Sequence, residues 1–104
     1  MSDNDIDVLK PETLLKPKVE PPRLYKVILL NDDFTPREFV VQVLKAVFRT
    51  SEDQAYRIMM TAHQRGACVV ATFTRDVAES KAKEATDMGR QKGYPLMFDT
   101  EPEE

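Results

Sequence analysis

The sequence predicts a small α+β domain, a three-stranded antiparallel sheet packed against three helices in the order β-α-α-β-α-β. Three observations lead there. Two apolar runs rich in branched and aromatic side chains, Leu24–Leu30 and Cys68–Phe73, read as strands. Between and after them apolar residues recur at helical spacing, bounded by Ser, Thr, Pro and Gly in start and stop positions. Helices that outweigh so few strands are best buried by covering one face of the sheet.

Length and composition set the scale. With 104 residues the chain holds one domain, and residues 23–100 are long enough for a single modest core. Residues 1–22 carry Pro11, Pro17, Pro21 and Pro22, four of the seven prolines, among Asp, Glu and Lys. Such a segment buries too little to fold alone and is expected to be a disordered tail, with Leu14 and Leu15 its one docking pair.

The first strand begins after Arg23 and spans Leu24–Leu30. Asn31, Asp32, Asp33 and Phe34 then lead into a helix for which Thr35 reads as the N-cap, Pro36 as the first residue and Glu38 as the third, a capping box. Phe39, Val40, Val43, Leu44, Val47 and Phe48 give that helix, which runs to about Arg49, an apolar stripe for the sheet. Ser51 and Gln54 form a second capping box, and Gly66 ends the helix they start. Ala55, Ile58, Met59 and Ala62 mark its buried side.

After the second strand Thr74 is placed to cap a third helix that reaches about Lys92, with Asp76 in its positive first turn. That helix is rich in alanine and charge, so much of it should face water. Tyr94–Phe98 is expected as a short last strand in which Pro95 suits the beginning or an edge. Residues 101–104 are acidic and expected to fray.

Charge and composition exclude several function classes. A formal net charge of −3 with mixed signs does not suit nucleic-acid binding, which relies on Lys and Arg neutralising phosphates. No apolar run reaches the ~18 residues of a membrane span, and the charged N-terminal segment has no signal-peptide core. The single cysteine, Cys68, has no internal partner and lies in an apolar strand, where a structural thiol is the simpler reading. A soluble, monomeric protein of a bacterial-type cytoplasm fits these facts. There is no phosphate loop or nucleophile elbow, and Asp32, Asp33 and His63 lack the spacing of a metal-ligand set. Neither catalysis nor a cofactor is expected.

The corner Asn31-Asp32-Asp33 supports two readings. Asn and Asp between strand and helix commonly bond local amides and shape a turn. Two adjacent carboxylates also repel unless donors or cations offset them, which suits an ammonium ligand. His63, the one histidine, lies four residues after Met59 on one helix face. It is either a packing residue or a hydrogen-bonding group beside an apolar pocket; its tautomer decides which way it bonds. The Met59-Met60 pair serves as core filler or as an adaptable pocket wall.

These residues resemble a known family. Tyr25-Lys26-Val27-Ile28-Leu29-Leu30-Asn31-Asp32-Asp33-Phe34-Thr35-Pro36, followed by Glu38-Phe39-Val40, is similar to the signature of the ClpS adaptors. Met59-Met60-Thr61-Ala62-His63-Gln64-Arg65-Gly66 and Val77-Ala78-Glu79-Ser80-Lys81 agree in order and spacing, so the likeness covers about residues 23–100. It implies an adaptor that recognises N-degrons, proteins beginning with Phe, Tyr, Leu or Trp, and delivers them to the N-terminal domain of a ClpA-type AAA+ chaperone of the ClpAP protease. It implies that Asn31, Asp32, Asp33 and His63 engage the substrate's α-amino group and first peptide unit. Thr35, Val40, Met59, Ala62 and Leu96 match the side-chain pocket, and Asp76 and Lys81 the chaperone-docking surface. Two positions depart from the pattern: Arg37 stands where a methionine that excludes β-branched residues is common, and Ala62 where a larger aliphatic is usual. Arg37 is thereby a candidate pocket residue too, its stem able to cover a ligand while its charge stays wet. The remaining alternative is a scaffold domain that binds a chaperone without reading N-termini.

Overall fold

A computed structural model describes residues 21–104. The expected tail, with Leu14 and Leu15, lies outside the described residues except for Pro21 and Pro22. The elements follow in the order β1 (Leu24–Leu30), α1 (Arg37–Phe48), α2 (Glu52–Arg65), β2 (Ala67–Thr74), α3 (Arg75–Gln91) and β3 (Met97–Pro102). This is the β-α-α-β-α-β order expected from the sequence. No helix among the described residues is long and apolar enough to cross a membrane.

The sheet is antiparallel with β1 in the centre, flanked by β2 and β3. Val27 and Leu29 alternate onto the covered face and are almost fully buried, as strand periodicity requires. Val40, Val43, Leu44 and Val47 of α1 meet them, with Ala55, Ile58, Met59 and Ala62 of α2, and Leu96 and Phe98 from the region of β3. Each large side chain so buried contributes about 1.5–3 kcal/mol. Phe39 and Phe48 lie at the margin of this core and are half-buried. Ala78, Ala82, Ala85 and Gly89 form a narrow buried stripe along α3, and small residues there allow a close approach while the rest of the helix is largely exposed. A bulge between Val27 and Ile28 shifts the register of β1 against β2.

Helix starts divide between expectation and correction. The Ser51 hydroxyl accepts from the Gln54 amide at 3.1 Å, and Gly66 closes α2 in the left-handed region at φ 94°. Thr35 and Thr74, by contrast, make no side-chain cap. Pro36 itself is the extended residue before α1, and its carbonyl accepts from the Phe39 and Val40 amides. Thr35 gives its hydroxyl hydrogen instead to Asp32, because a carboxylate is the stronger acceptor.

The last strand is also corrected. Residues 92–96 do not pair; the Lys92 and Tyr94 amides both bond the Gly89 carbonyl, and Gly93 turns at φ 81°. This fold-back drives Leu96 into the core, so pairing begins at Met97 opposite Leu30. The strand then runs to Pro102, tolerated on an edge, and the Glu103 amide bonds the Leu24 carbonyl. Residues 101–103, expected to fray, are therefore held by β1, whose open backbone groups recruit them.

Candidate functional site

Where β1 ends, the corner to α1 meets the last turn of α2. The Asn31 amide donates to the Gly66 carbonyl at 3.0 Å, which ties the corner to the cap of the helix carrying His63. Between them lies a cavity of about 140 Å³. That is close to the roughly 150 Å³ of engineered apolar cavities that admit benzene, so it fits one ring or one branched side chain.

The cavity brings together ten residues singled out in the sequence: Asn31, Asp32, Asp33, Thr35, Arg37, Val40, Met59, Ala62, His63 and Leu96. Leu29 and Leu30 complete its lining and were not anticipated as site residues. Their signal was their position directly before the polar corner, where strand alternation sends one side chain to each face. Val40, Met59, Ala62, Leu96 and Thr35 are buried, whereas Asn31, Asp33, Arg37 and His63 are exposed. The site thus has an apolar floor and a polar mouth.

The two aspartates differ sharply. Asp32 Oδ1 accepts from the amides of Phe34 and Thr35 at 2.8 and 2.7 Å, and Oδ2 accepts from the Thr35 hydroxyl at 2.9 Å. Both of its oxygens are used in folding the corner, as an Asx turn would use them. Asp33 is exposed beside it and lines the cavity, and its side chain hydrogen-bonds no other described residue. The turn reading of this corner therefore falls on Asp32, and Asp33 takes no part in the turn's hydrogen bonds.

At the mouth, Arg37 Nη2 stands 3.0 Å from His63 Nε2, and Nη1 lies 3.9 Å from Met60 Sδ. The guanidinium bridges the start of α1 and the end of α2. Burial pushes the Cys68 thiol above its ordinary pKa, with Arg65 opposing more weakly, which keeps it protonated and agrees with a structural role.

Asp76 and Lys81 lie elsewhere, on the first turns of α3. Asp76 is exposed. The Lys81 ammonium donates to the Val47 carbonyl at the end of α1, at 2.9 Å, and stands 5.7 Å from the Phe73 ring centroid. Lys81 thus already serves the fold, complementing the negative end of α1.

Comparison with known proteins agrees with this architecture. Residues 20–99 match the family model described as ATP-dependent Clp protease adaptor protein ClpS. The chain is 72% identical over 95 residues, 91% of its length and 94% of the other protein, to the ATP-dependent Clp protease adapter protein ClpS 2 of Mesorhizobium japonicum. It is 65% identical over the full length of both chains to the ClpS 2 adapter of Agrobacterium fabrum. The solved structure of Agrobacterium tumefaciens ClpS2 bound to L-phenylalaninamide superposes with a TM-score of 0.79 at 67% identity, covering 80% of this chain and 100% of that one. With a family match over residues 20–99, relatives this similar and a shared fold, the chain belongs to the ClpS family of Clp protease adaptors.

Proposed function

We propose that the cavity binds the N-terminal residue of a substrate protein, with a bulky Phe, Tyr, Leu or Trp side chain on the apolar floor and the α-amino group at the polar mouth. The observation that carries this reading is the pairing of a one-ring cavity with the exposed side chains of Asp33 and Asn31 at its entrance, which hydrogen-bond no other described residue. An α-amino group of pKa ~7.7–8.0 is largely protonated at neutral pH and offers three donors on the same carbon that carries the side chain, a pairing that only a chain end provides. The relative solved with L-phenylalaninamide holds a ligand with that combination of ring and free amine.

In this reading Asp33 and Asn31 accept from the ammonium, His63 bonds the first peptide unit, and Asp32 with Thr35 holds the corner in shape. Val40, Met59, Ala62 and Leu96 contact the side chain, and Arg37 closes the rim. Charge-assisted hydrogen bonds contribute about 1.5–3 kcal/mol each, and a buried Phe or Leu about 1.5–3 kcal/mol. Three such bonds and one buried side chain at the upper ends of these ranges, against an association cost of at least ~4 kcal/mol, reach about −8 kcal/mol, which is micromolar affinity.

The adaptor catalyses nothing itself; it hands the bound chain to a ClpA-type AAA+ chaperone through a separate surface that includes Asp76 and Lys81, in the cytoplasm. Fluorescence anisotropy with a Phe-initiated peptide and its N-acetylated form tests the central point. Acetylation is expected to nearly abolish binding, and equal affinity for the two forms overturns the reading.

A further inference from the structure

A second hollow, of about 750 Å³, lies between α1 and α2. Arg37 and Met59 wall both this hollow and the cavity beside the corner, so the two are continuous. Its other apolar surfaces are the half-buried Val41 of α1 and Tyr56 of α2, whose side chain is left 53% exposed. Arg37, Val41 and Lys45 follow at four-residue spacing, and Glu52, Tyr56, Met59 and His63 form the facing stripe of α2. Arg37 meets His63 at one end and Lys45 pairs with Glu52 at 2.8 Å at the other, so the helices run antiparallel and the ion pair closes the far end of the groove. We propose that this groove is a second subsite, which takes an apolar side chain at the third position of a bound chain end.

The inference rests on the functional reading above, which puts the first side chain in the cavity and the first peptide unit at His63. From His63 the stripe of α2 continues through Met59 to Tyr56, away from the corner that holds the amine. An extended chain laid along it advances ~3.3 Å per residue and turns successive side chains to opposite faces, so the third side chain points the same way as the first, about 6.6 Å farther on. Val41 lies one turn of α1 beyond Arg37, about 6 Å along the groove, and the third side chain therefore meets Val41 and Tyr56. The second side chain points to solvent. Because Lys45 and Glu52 satisfy each other, the far end of the groove asks for no charged partner, and contact there is apolar.

Fluorescence anisotropy with the full-length protein compares peptides that begin Phe-Ala-Ala, Phe-Ala-Leu and Phe-Leu-Ala and are otherwise identical. Leucine at the third position is expected to tighten binding by about 3- to 10-fold, the range for partly burying its three additional carbons. Leucine at the second position should leave affinity near the alanine value. Tyr56→Phe, which keeps the ring, should retain the third-position gain, and Tyr56→Ala should erase most of it. Each gain is a ratio measured within one protein, so any effect of the substitution on the first-residue cavity cancels.

No gain at the third position, or an equal gain at the second, overturns the subsite while the first-residue reading stands. A third-position gain that survives intact in Tyr56→Ala puts the contact outside the groove and overturns it too. If the groove belongs to the chaperone instead, Tyr56→Ala lowers affinity for the chaperone's N-terminal domain and the wild-type protein shows no third-position gain, which also defeats the proposal. Failure of all three peptides to bind the wild-type protein would sink the functional reading and the subsite together.

Discussion

Leu96, a wall of the cavity, rests directly on Gly89 of α3: a Cβ added to the glycine would stand 2.7 Å from Leu96 Cβ. That distance is shorter than side chains tolerate, so the absence of a side chain at Gly89 is what lets Leu96 reach the pocket. The long third helix, which contributes no lining residue, thereby shapes the site.

Gly89→Ala is expected to lower stability by about 1–3 kcal/mol through overpacking, despite a gain of ~0.5–1 kcal/mol in helix propensity. Because Leu96 must shift, affinity for a Phe-initiated peptide should fall as well. Urea denaturation and anisotropy on the same samples measure both. A variant as stable as wild type would mean that the backbone of residues 92–96 relaxes freely.

The two aspartates should separate folding from binding. Asp32→Ala removes the acceptor for two amides and the Thr35 hydroxyl, and is expected to destabilise the protein by about 1–3 kcal/mol while disordering the mouth. Asp33→Asn should leave the thermal midpoint unchanged but weaken peptide binding by about 1–3 kcal/mol. Thermal melts followed by circular dichroism, with titrations alongside, check the contrast; a large stability loss in Asp33→Asn would contradict it.

Ala62 is almost fully buried at the pocket wall, so the space it leaves is available to a ligand ring. Aromatic N-terminal residues should be preferred over Leu, and Ala62→Val should shift relative affinity back toward Leu. One or two methylenes in an apolar pocket change discrimination by about 1–3 kcal/mol, which reorders preferences without making them absolute. A peptide panel differing only in the first residue reads the ranking, and an unchanged ranking in the variant would remove Ala62 from the specificity account.

Asp76 and Lys81 should behave differently although both face the same proposed partner. Lys81→Met keeps the stem on Phe73 but loses the bond to the Val47 carbonyl, costing about 0.5–1.5 kcal/mol of stability as well as chaperone affinity. Asp76→Lys should impair chaperone association alone, because exposed rim charges act mainly on encounter. Calorimetry of the adaptor with the chaperone's N-terminal domain, compared with peptide titration, tests this; peptide affinity that falls in step with chaperone affinity would argue against two separate surfaces.

Thr50 has a buried hydroxyl without a hydrogen-bond partner among the described residues. Thr50→Val removes that unsatisfied group at nearly constant volume and is expected to raise stability by about 1 kcal/mol. A decrease in the urea midpoint would show that the hydroxyl is satisfied by water in solution.

Local chemistry made much of this protein legible in its sequence. Branched runs gave β1 and β2, the 3.6-residue stripe gave α1 and α2, and Ser51 with Gly66 bounded α2 because capping involves only neighbours a few residues away. Most of the ten cavity residues singled out in the sequence are legible because the family motifs keep their order and spacing, and Arg37 because it departs from them. What tertiary structure decided were the competitions between partners. Thr35 had two uses for its hydroxyl, and the fold of the corner gave it to Asp32 rather than to the helix start. The last strand moved from Tyr94–Phe98 to Met97–Pro102 because pairing is set by where the open edge of β1 meets the chain, after Leu96 has been packed on Gly89. Arg37 and His63, 26 positions apart, meet only because two helices converge on the pocket mouth. No local propensity encodes that contact; the packing of α1 on α2 creates it.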